Sequence, residues 1–589
     1  MAPLVRAGSW RRAFWARRCV MMVFVAAALV GAQACGDANG ADGPGVTVRV
    51  LPQVTDDTPA GLLCEPSARQ RALNDDQGAV NIGAVRLEVF DADGQVVLDR
   101  VREVAGQVGS LLFEQIPPGE DYRLEITACR QVDDPGLWAG QVPSVDVSVG
   151  RNARTQVLLL PTEGFACAQQ QPQEPLAFAS TFSPDGRSVW VAGGLTSWTS
   201  QGPAEASDVV WRYDLNSGAF EDTGARLPQP TGMAASLVAA PAPGQPDALL
   251  LVGGASSIVE GFTANHGDLL AFGPPEGATV GSSVWVESVG DSITVRPAPW
   301  APPARFGAGA GVSRSEDGDR VIVAGGIDTA QTPAQVSQQL TVVRLGPDGP
   351  EAVTVAMAAP RIAPVIHSPQ PGLFWIIGGN IGAGTPLVEQ VDVRGGNLSV
   401  SVLQVTEDPA SAELMRPAAF SAAIPGPDGV TIVGGLPVFT DAEPDAIPIA
   451  SAAISPVLFR LEETQPGQLV QRSVTLGPGT TAALSQRAFA LVLERPEGHW
   501  LIGGIGDDVA LPFKPRADAV LINDGGLAPS PEPPPYHPIG GSGATLEGGS
   551  SLAIGGLIEL AEAPNQFAPT RTSLLRSTHP PEDGCQQPE

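Results

Sequence analysis

The sequence predicts an all-β chain in two parts, a small β-sandwich followed by seven repeated antiparallel sheets. Three observations carry this. One phrase, three or four apolar residues and then a Gly pair, occurs seven times, as VWVAGGL, LLLVGGA, VIVAGGI, FWIIGGN, VTIVGGL, HWLIGGI and SLAIGGL. Ahead of the repeats, apolar and polar residues alternate at period two, the pattern of half-buried strands. No helical stripe of comparable quality occurs along the chain.

Residues 1–34 are expected to be a secretory signal. Arg6, Arg11, Arg12, Arg17 and Arg18 precede an uncharged apolar run from Cys19 to Gly31, too short for a usual membrane span, and small residues follow it. Ala34, Cys35 and Gly36 resemble the end of a lipobox, which makes Cys35 the expected lipidation site and residues 35–44 a tether. Cysteine parity agrees. Without Cys19 and a lipidated Cys35, the cysteines left are Cys64, Cys129, Cys167 and Cys585, an even set that can pair in an oxidising compartment. The expected location is therefore the outer membrane or cell surface, or the periplasm or exterior if Cys35 carries no lipid. The formal charge is −29, and losing the five signal arginines takes it to about −34. So acidic a surface repels phosphate backbones, and nucleic acid is not an expected partner.

Residues 45–162 read as a small antiparallel sandwich. Four sets share a face each: Val46, Val48, Val50; Val85, Leu87, Val89; Tyr122, Leu124, Ile126; and Val145, Val147, Val149. Asp93 and Gly94 suit a tight hairpin turn, and Pro117, Pro118 and Gly119 suit the turn before Tyr122. The stretches DADGQVV and IPPGEDYRLEI resemble transthyretin-like or carboxypeptidase-regulatory-like modules, a resemblance that implies a spacer or stabilising role.

From residue 163 to 589 the repeats take over. Their doubled glycines are Gly193 and Gly194, Gly253 and Gly254, Gly325 and Gly326, Gly378 and Gly379, Gly434 and Gly435, Gly503 and Gly504, and Gly555 and Gly556. All are expected to mark the innermost strands of the repeats. Turn glycines at Gly186, Gly318, Gly372, Gly429, Gly498 and Gly549 stand just upstream, so each apolar run is the second strand of a hairpin. Arg305, Arg361, Arg416 and Arg487 lead into the first strand of their repeats. After each Gly pair comes a variable loop, a third strand and, in most copies, a fourth. Four antiparallel strands per unit and seven units describe the blades of a β-propeller. Glycine is expected where neighbouring backbones converge, because a missing Cβ permits both close approach and positive φ.

The apolar-Gly-Gly phrase, the Arg-led first strand and Tyr213-Asp214 in the first blade resemble the kelch-repeat family, whose fold is also that of galactose oxidase-like central domains. The seventh repeat runs out of chain after its third strand. Residues just before Phe178 are expected to supply the fourth, with Cys167 bonded to Cys585 across the seam and Cys64 bonded to Cys129. Four cysteines allow three pairings.

No catalytic residue, metal site or cofactor is expected. The propeller region holds only Tyr213 and Tyr536 among tyrosines, no zinc-ligand spacing and no G-x-S-x-G elbow, so composition leaves a Ser-His-Asp triad open but the usual motifs of copper, zinc and serine-hydrolase chemistry are not found. Function is expected in the loops after the Gly pairs, with Trp198, His266, Phe439, Asp507 and Asp508 as candidate binding residues. The expectation is a non-enzymatic, lipid-anchored kelch-like protein that binds an unknown protein or a glycan at the cell envelope. The alternative is an exported carbohydrate-active enzyme of mutarotase or lyase type, with its site in the propeller funnel.

Overall fold

The computed structural model describes residues 45–586 apart from 53–81, 105–109, 199–203, 263–268, 274–279, 299–304, 329–334, 380–386, 408–418, 436–447, 451–457, 478–484, 530–537, 577–583 and stretches of one to four residues elsewhere. Residues 1–44 with Cys35, and also Cys64, His266, Arg416 and Phe439, lie outside the described residues. The described chain is all-β, and its helical geometry is confined to 3-10 turns at Arg394–Gly396 and at Ser485.

Seven strands form the N-terminal sheet: β1 (Gly45–Pro52), β2 (Ala84–Phe90), β3 (Val96–Glu103), β4 (Ser110–Glu114), β5 (Gly119–Cys129), β6 (Trp138–Val147) and β7 (Asn152–Pro161), in the order β3-β2-β5-β6-β7-β1-β4. β6 meets β7 only at Trp138↔Pro161 and Ala139↔Leu160. The sheet folds over at that narrow join, and both halves contribute to one core with Val46, Val48, Leu87, Leu124, Trp138 and Val157. Val50's side chain lies outside those described; among the others the expected alternation holds with one exception, Val149, which lies beyond the end of β6 and is 78% exposed. The expected antiparallel pairing needs a larger correction. β1 and β7 are parallel from Gly45↔Asn152 to Pro52↔Leu159. A parallel pair needs a long crossover, and the whole module between its first and last strands supplies it.

Seven antiparallel sheets follow, and each Gly pair comes directly after the second strand of one of them. In the third, Gly309–Ser313, Arg320–Ala324, Gln339–Gly346 and Gly349–Ala356 pair in chain order. The first, second, fourth and sixth keep the same order, and the fifth adds Gln404–Glu407 parallel to its last strand. The seventh joins Ser542–Thr545, Ser551–Ile554 and Ser573–Arg576 to β8 (Ala166–Cys167), a strand that lies before Phe178 in the chain. Consecutive sheets share hydrophobic cores. Trp190 and Val210 of the first pack with Leu249 and Val286 of the second, and the series continues through Phe459 and Trp375 between the fifth and fourth. It ends with Leu552 and Ile554 of the seventh against Val189 and Trp211 of the first.

All fourteen glycines of the pairs have φ between +61° and +106°. At Gly434 the reason is geometric: a Cβ there would lie 1.9 Å from the Arg487 carbonyl oxygen of the next repeat. The second glycine binds that same oxygen, the Gly435 amide donating to it at 2.7 Å. Equivalent bonds run from Gly194 to Thr231, Gly326 to Arg361, Gly504 to Pro538 and Gly556 to Leu176.

Second glycines are also pressed against their own repeats, Gly254, Gly379 and Gly504 among them. A Cβ on Gly254 would lie 2.8 Å from the Gly232 carbonyl oxygen, and one on Gly379 would lie 2.6 Å from that of Ile362. Their carbonyls accept bonds within the repeat as well, Gly254 from the Gly281 amide at 3.1 Å and Gly379 from the Ile362 amide at 2.8 Å. The first glycine meets the next repeat here too: a Cβ on Gly253 would lie 2.1 Å from the Arg305 carbonyl oxygen.

Candidate functional site

Two residues beyond those carbonyls, the seven repeats place Phe178, Met233, Gly307, Ala363, Phe420, Phe489 and Gly540, all with φ between +41° and +63°. Their backbones are linked from repeat to repeat. Met233 donates to Phe178 at 3.3 Å, Ala363 to Gly307 at 2.6 Å, Phe420 to Ala363 at 3.3 Å, Gly540 to Phe489 at 2.9 Å and Phe178 to Gly540 at 2.6 Å. Left-handed backbone costs a residue with a side chain about 1–2 kcal/mol, and five positions carry that cost here. The amide-to-carbonyl links hold them in place.

Their side chains converge. Phe489 meets Phe178 edge-on at 5.4 Å between ring centroids and Phe420 at 4.7 Å, while Trp198 lies 6.5 Å from Phe178. Gly540 makes room for this, since a Cβ there would lie 2.1 Å from the Phe178 ring. Leu195, Ala204, Phe306, Ile327 and Ile539 bury the base of the cluster, whereas Phe178, Met233, Phe420 and Phe489 stay partly exposed. Sequence reasoning misses this aromatic floor. A signal for it exists in the triplets Leu176-Ala177-Phe178, Ala418-Ala419-Phe420 and Arg487-Ala488-Phe489, which recur at the start of three repeats.

The chain that follows the Gly pairs is largely β-hairpin rather than loop. Ile327–Asp328 pairs with Gln335–Val336, Ile505–Asp508 with Leu511–Pro515, and Leu557–Leu560 with Ala563–Pro569. Three repeats pool their segments into one sheet ordered Ala204–Glu205, Ser257–Phe262, Leu269–Gly273 and Pro448–Ala450. The last strand comes from the fifth repeat and pairs with the second, at Leu269↔Ala450 and Leu270↔Ile449. Ala204, at the other edge of that sheet, is buried in the aromatic cluster.

The predicted binding residues distribute unevenly over this face. Trp198 is not the expected surface anchor: it is 5% exposed and belongs to the floor. Asp507 and Asp508 sit in the hairpin strand Ile505–Asp508. Among the described residues, no three His, Cys, Asp or Glu side chains gather as a metal ion would require.

Beside the floor lie buried arginines. Rather than opening the first strand, Arg305 and Arg361 each stand four residues ahead of it, at Gly309 and Val365. Arg361 donates to the Gly378 carbonyl at 2.5 Å and to Glu389 at 2.8 and 3.0 Å, and both side chains of the pair are fully buried. Arg305 reaches the Gly325 carbonyl at 3.1 Å and the Gln339 side chain, and Arg487 reaches the Gly503 carbonyl at 3.3 Å and Asp518 at 3.1 Å. Each arginine thus ties the first glycine of its own repeat to the start of the third strand. Burial pulls the Arg361 guanidinium below its ordinary range against the pull of Glu389. It takes Arg487 down to about 10, with Asp518 opposing the shift. Charges so held shape the backbone and do not face a ligand. Counting back from Phe420, the matching position in the fifth repeat is residue 418, two beyond Arg416.

The cysteines pair differently from expectation. Cys129, at the end of β5, is bonded to Cys585, so neither the Cys64–Cys129 nor the Cys167–Cys585 bond forms. Position explains it: the C-terminal segment returns to the sandwich, while Cys167 lies in β8 opposite Leu574.

No family model matches the chain, and no curated protein matches it. Solved structures do align with it at low identity. A copper-bound fungal alcohol oxidase of the AA5 family is 14% identical over 72% of this chain and 79% of its own, with a TM-score of 0.43. YjhT is 13% identical over 68% of this chain and 95% of its own, with a TM-score of 0.34. The RAG complex with one melted and one unmelted RSS aligns at 16% identity over 71% of this chain and 100% of that chain, with a TM-score of 0.36.

Proposed function

We propose that the seven sheets are the blades of a closed, kelch-like β-propeller carried on the sandwich. In this reading the chain is a non-enzymatic recognition protein, anchored at the cell envelope through a lipid on Cys35, that binds a protein or glycan over its hairpin face. Support for the ring comes from the shared cores, which run from sheet to sheet and join the seventh to the first. The amide-to-carbonyl links among the left-handed residues likewise return from Gly540 to Phe178.

One observation carries the binding role: strands from the first, second and fifth repeats merge into a single sheet joined to the partly exposed aromatic floor. Segments tied to three blades form a continuous surface on a rigid base, the arrangement binding sites commonly use. The aromatic rings supply large, stiff anchors at little entropic cost. Glycan-array and pull-down screens with the processed chain test this. A saturable ligand whose binding is lost when the hairpin face is altered is the expected result. Turnover of a sugar substrate without any such ligand would overturn it in favour of an enzyme. Palmitate labelling of the wild type and of Cys35→Ala tests the anchor, and label on neither would remove it.

A further inference from the structure

The proposed ring is thinnest at its seam. The seventh sheet has three four-residue strands and the two-residue β8. Both pieces of chain that make this seam lead straight back to the sandwich. β8 follows β7 after only four residues, 162–165, and Leu160 of β7 is buried in the core shared by the seventh and first sheets. Beyond Ser573–Arg576, the chain reaches Gly584 and Cys585, which dock on the loop after β5. Cys585 donates its amide to the Asp134 carbonyl at 3.0 Å, and Asp133 returns a bond to the Cys585 carbonyl at 3.1 Å.

The dock is shaped for this segment. A Cβ on Gly584 would lie 2.3 Å from the Asp134 carbonyl oxygen, so only glycine fits there. Arg86, mostly buried and held by Asp99 at 2.8 and 2.9 Å, reaches toward the Gly584 carbonyl at 3.4 Å. Cys585 and Cys129 are fully buried against Ala84 of β2, where they are bonded.

Building on the ring reading above, we propose that the sandwich is the clasp of the propeller, and that forming the Cys129–Cys585 bond is the step that locks the ring shut. The two thiols lose two protons and two electrons to an incoming protein or small-molecule disulfide, which leaves as two thiols. A chain that has not met such an oxidant holds its seventh sheet by noncovalent contacts alone. Seam stability then depends on the redox state of the compartment, while sheets remote from the seam do not sense it.

Hydrogen exchange on the full processed chain tests this, comparing wild type with Cys129→Ala/Cys585→Ala. At Ser542–Thr545, Ser551–Ile554 and Ser573–Arg576, the variant is expected to exchange at least tenfold faster. Arg320–Ala324 and Leu373–Ile377 should be unchanged. Unchanged seam protection, or equal acceleration in all seven sheets, would overturn the clasp. If the double variant does not fold, folded wild type reduced in mild denaturant gives the same comparison with the same outcomes. A wild-type seam no better protected than free peptide would instead overturn the ring reading, and the clasp with it.

Discussion

The Gly556 amide donates to the Leu176 carbonyl at 2.6 Å, which joins the last Gly pair of the chain to its first repeat. Thr570 completes the knot, accepting from the Leu176 amide at 3.1 Å and donating to the Gly556 carbonyl at 2.9 Å. The same amide-to-carbonyl bond recurs between neighbouring repeats elsewhere, as from Gly326 to Arg361. One local rule, a Gly pair reading the backbone of another repeat, thus serves both consecutive repeats and the contact of the last with the first.

That rule predicts a steep cost for a methyl group at the first glycine. In Gly555→Ala, φ of +61° is strained, and the new Cβ would lie 1.8 Å from the Leu176 oxygen. A loss of about 3–5 kcal/mol in urea denaturation is expected, as strain and a backbone clash add. Gly244→Ala is the control, with φ of +74° and open space around it, and should lose only about 1 kcal/mol. Equal losses at the two sites would show that contact with the next repeat does not matter.

The Arg361–Glu389 pair makes a second prediction. Glu389 accepts from Arg361 and from the Ala358 amide, and neither side chain of the pair is exposed. Glu389→Gln leaves a buried cation without its counter-charge, at a cost of about 3–5 kcal/mol. Arg361→Met/Glu389→Leu removes both charges and should recover most of that loss. At the surface, Arg226→Ala breaks a pair with Asp222 and should cost about 0.5 kcal/mol, seen as a small shift in denaturation midpoint.

Much of the fold was legible in the residues, and the reasons are local. The apolar run before each Gly pair could only be a buried strand, and the turn glycines fixed where its hairpin began. Gly318, Gly372 and Gly498 all have positive φ, as a tight turn there requires. What the sequence hid depends on distant chain. The Cys129–Cys585 bond joins residues 456 apart, and spacing alone cannot choose it over two other pairings. Phe178, Met233, Phe420 and Phe489 take a backbone form normally signalled by glycine, so nothing in their identity marks it. The hairpin face was hidden for the same reason, since Ile449 finds its strand partner Leu270 in another repeat. Trp198 shows the converse, a loop aromatic that belongs to the interior.

His367 gives stability a dependence on pH. It lies against Trp375 at 5.5 Å between centroids, and burial pulls its pKa from 6.5 to about 4. The folded state thus favours the neutral ring. Its contribution is complete above pH 6.5, falls as the unfolded chain takes up a proton first, and is lost by about pH 4. At most about 3 kcal/mol is involved, less because the residue is only partly buried. The difference in stability between pH 7 and pH 4.5 should shrink in His367→Phe, and an unchanged difference would assign that slope to other groups.

The binding role predicts that recognition and folding separate in the fifth repeat. Residues 437–456 make up most of the connection from Gly429–Val433 to Leu458–Gln465, strands that pair directly as Val433↔Leu458. Their ends are therefore already adjacent, and a short Gly-Ser link can span them. Loop-closure entropy changes by only about 0.6 kcal/mol per doubling of length, so the shortened chain should keep its thermal midpoint within a few degrees. It loses the strand Pro448–Ala450, however, and with it one edge of the sheet built from three repeats. Affinity for the ligand found by array or pull-down should fall at least tenfold, measured by calorimetry alongside the melting curve. Binding at full strength in a folded, shortened chain would place the recognition surface elsewhere on the molecule.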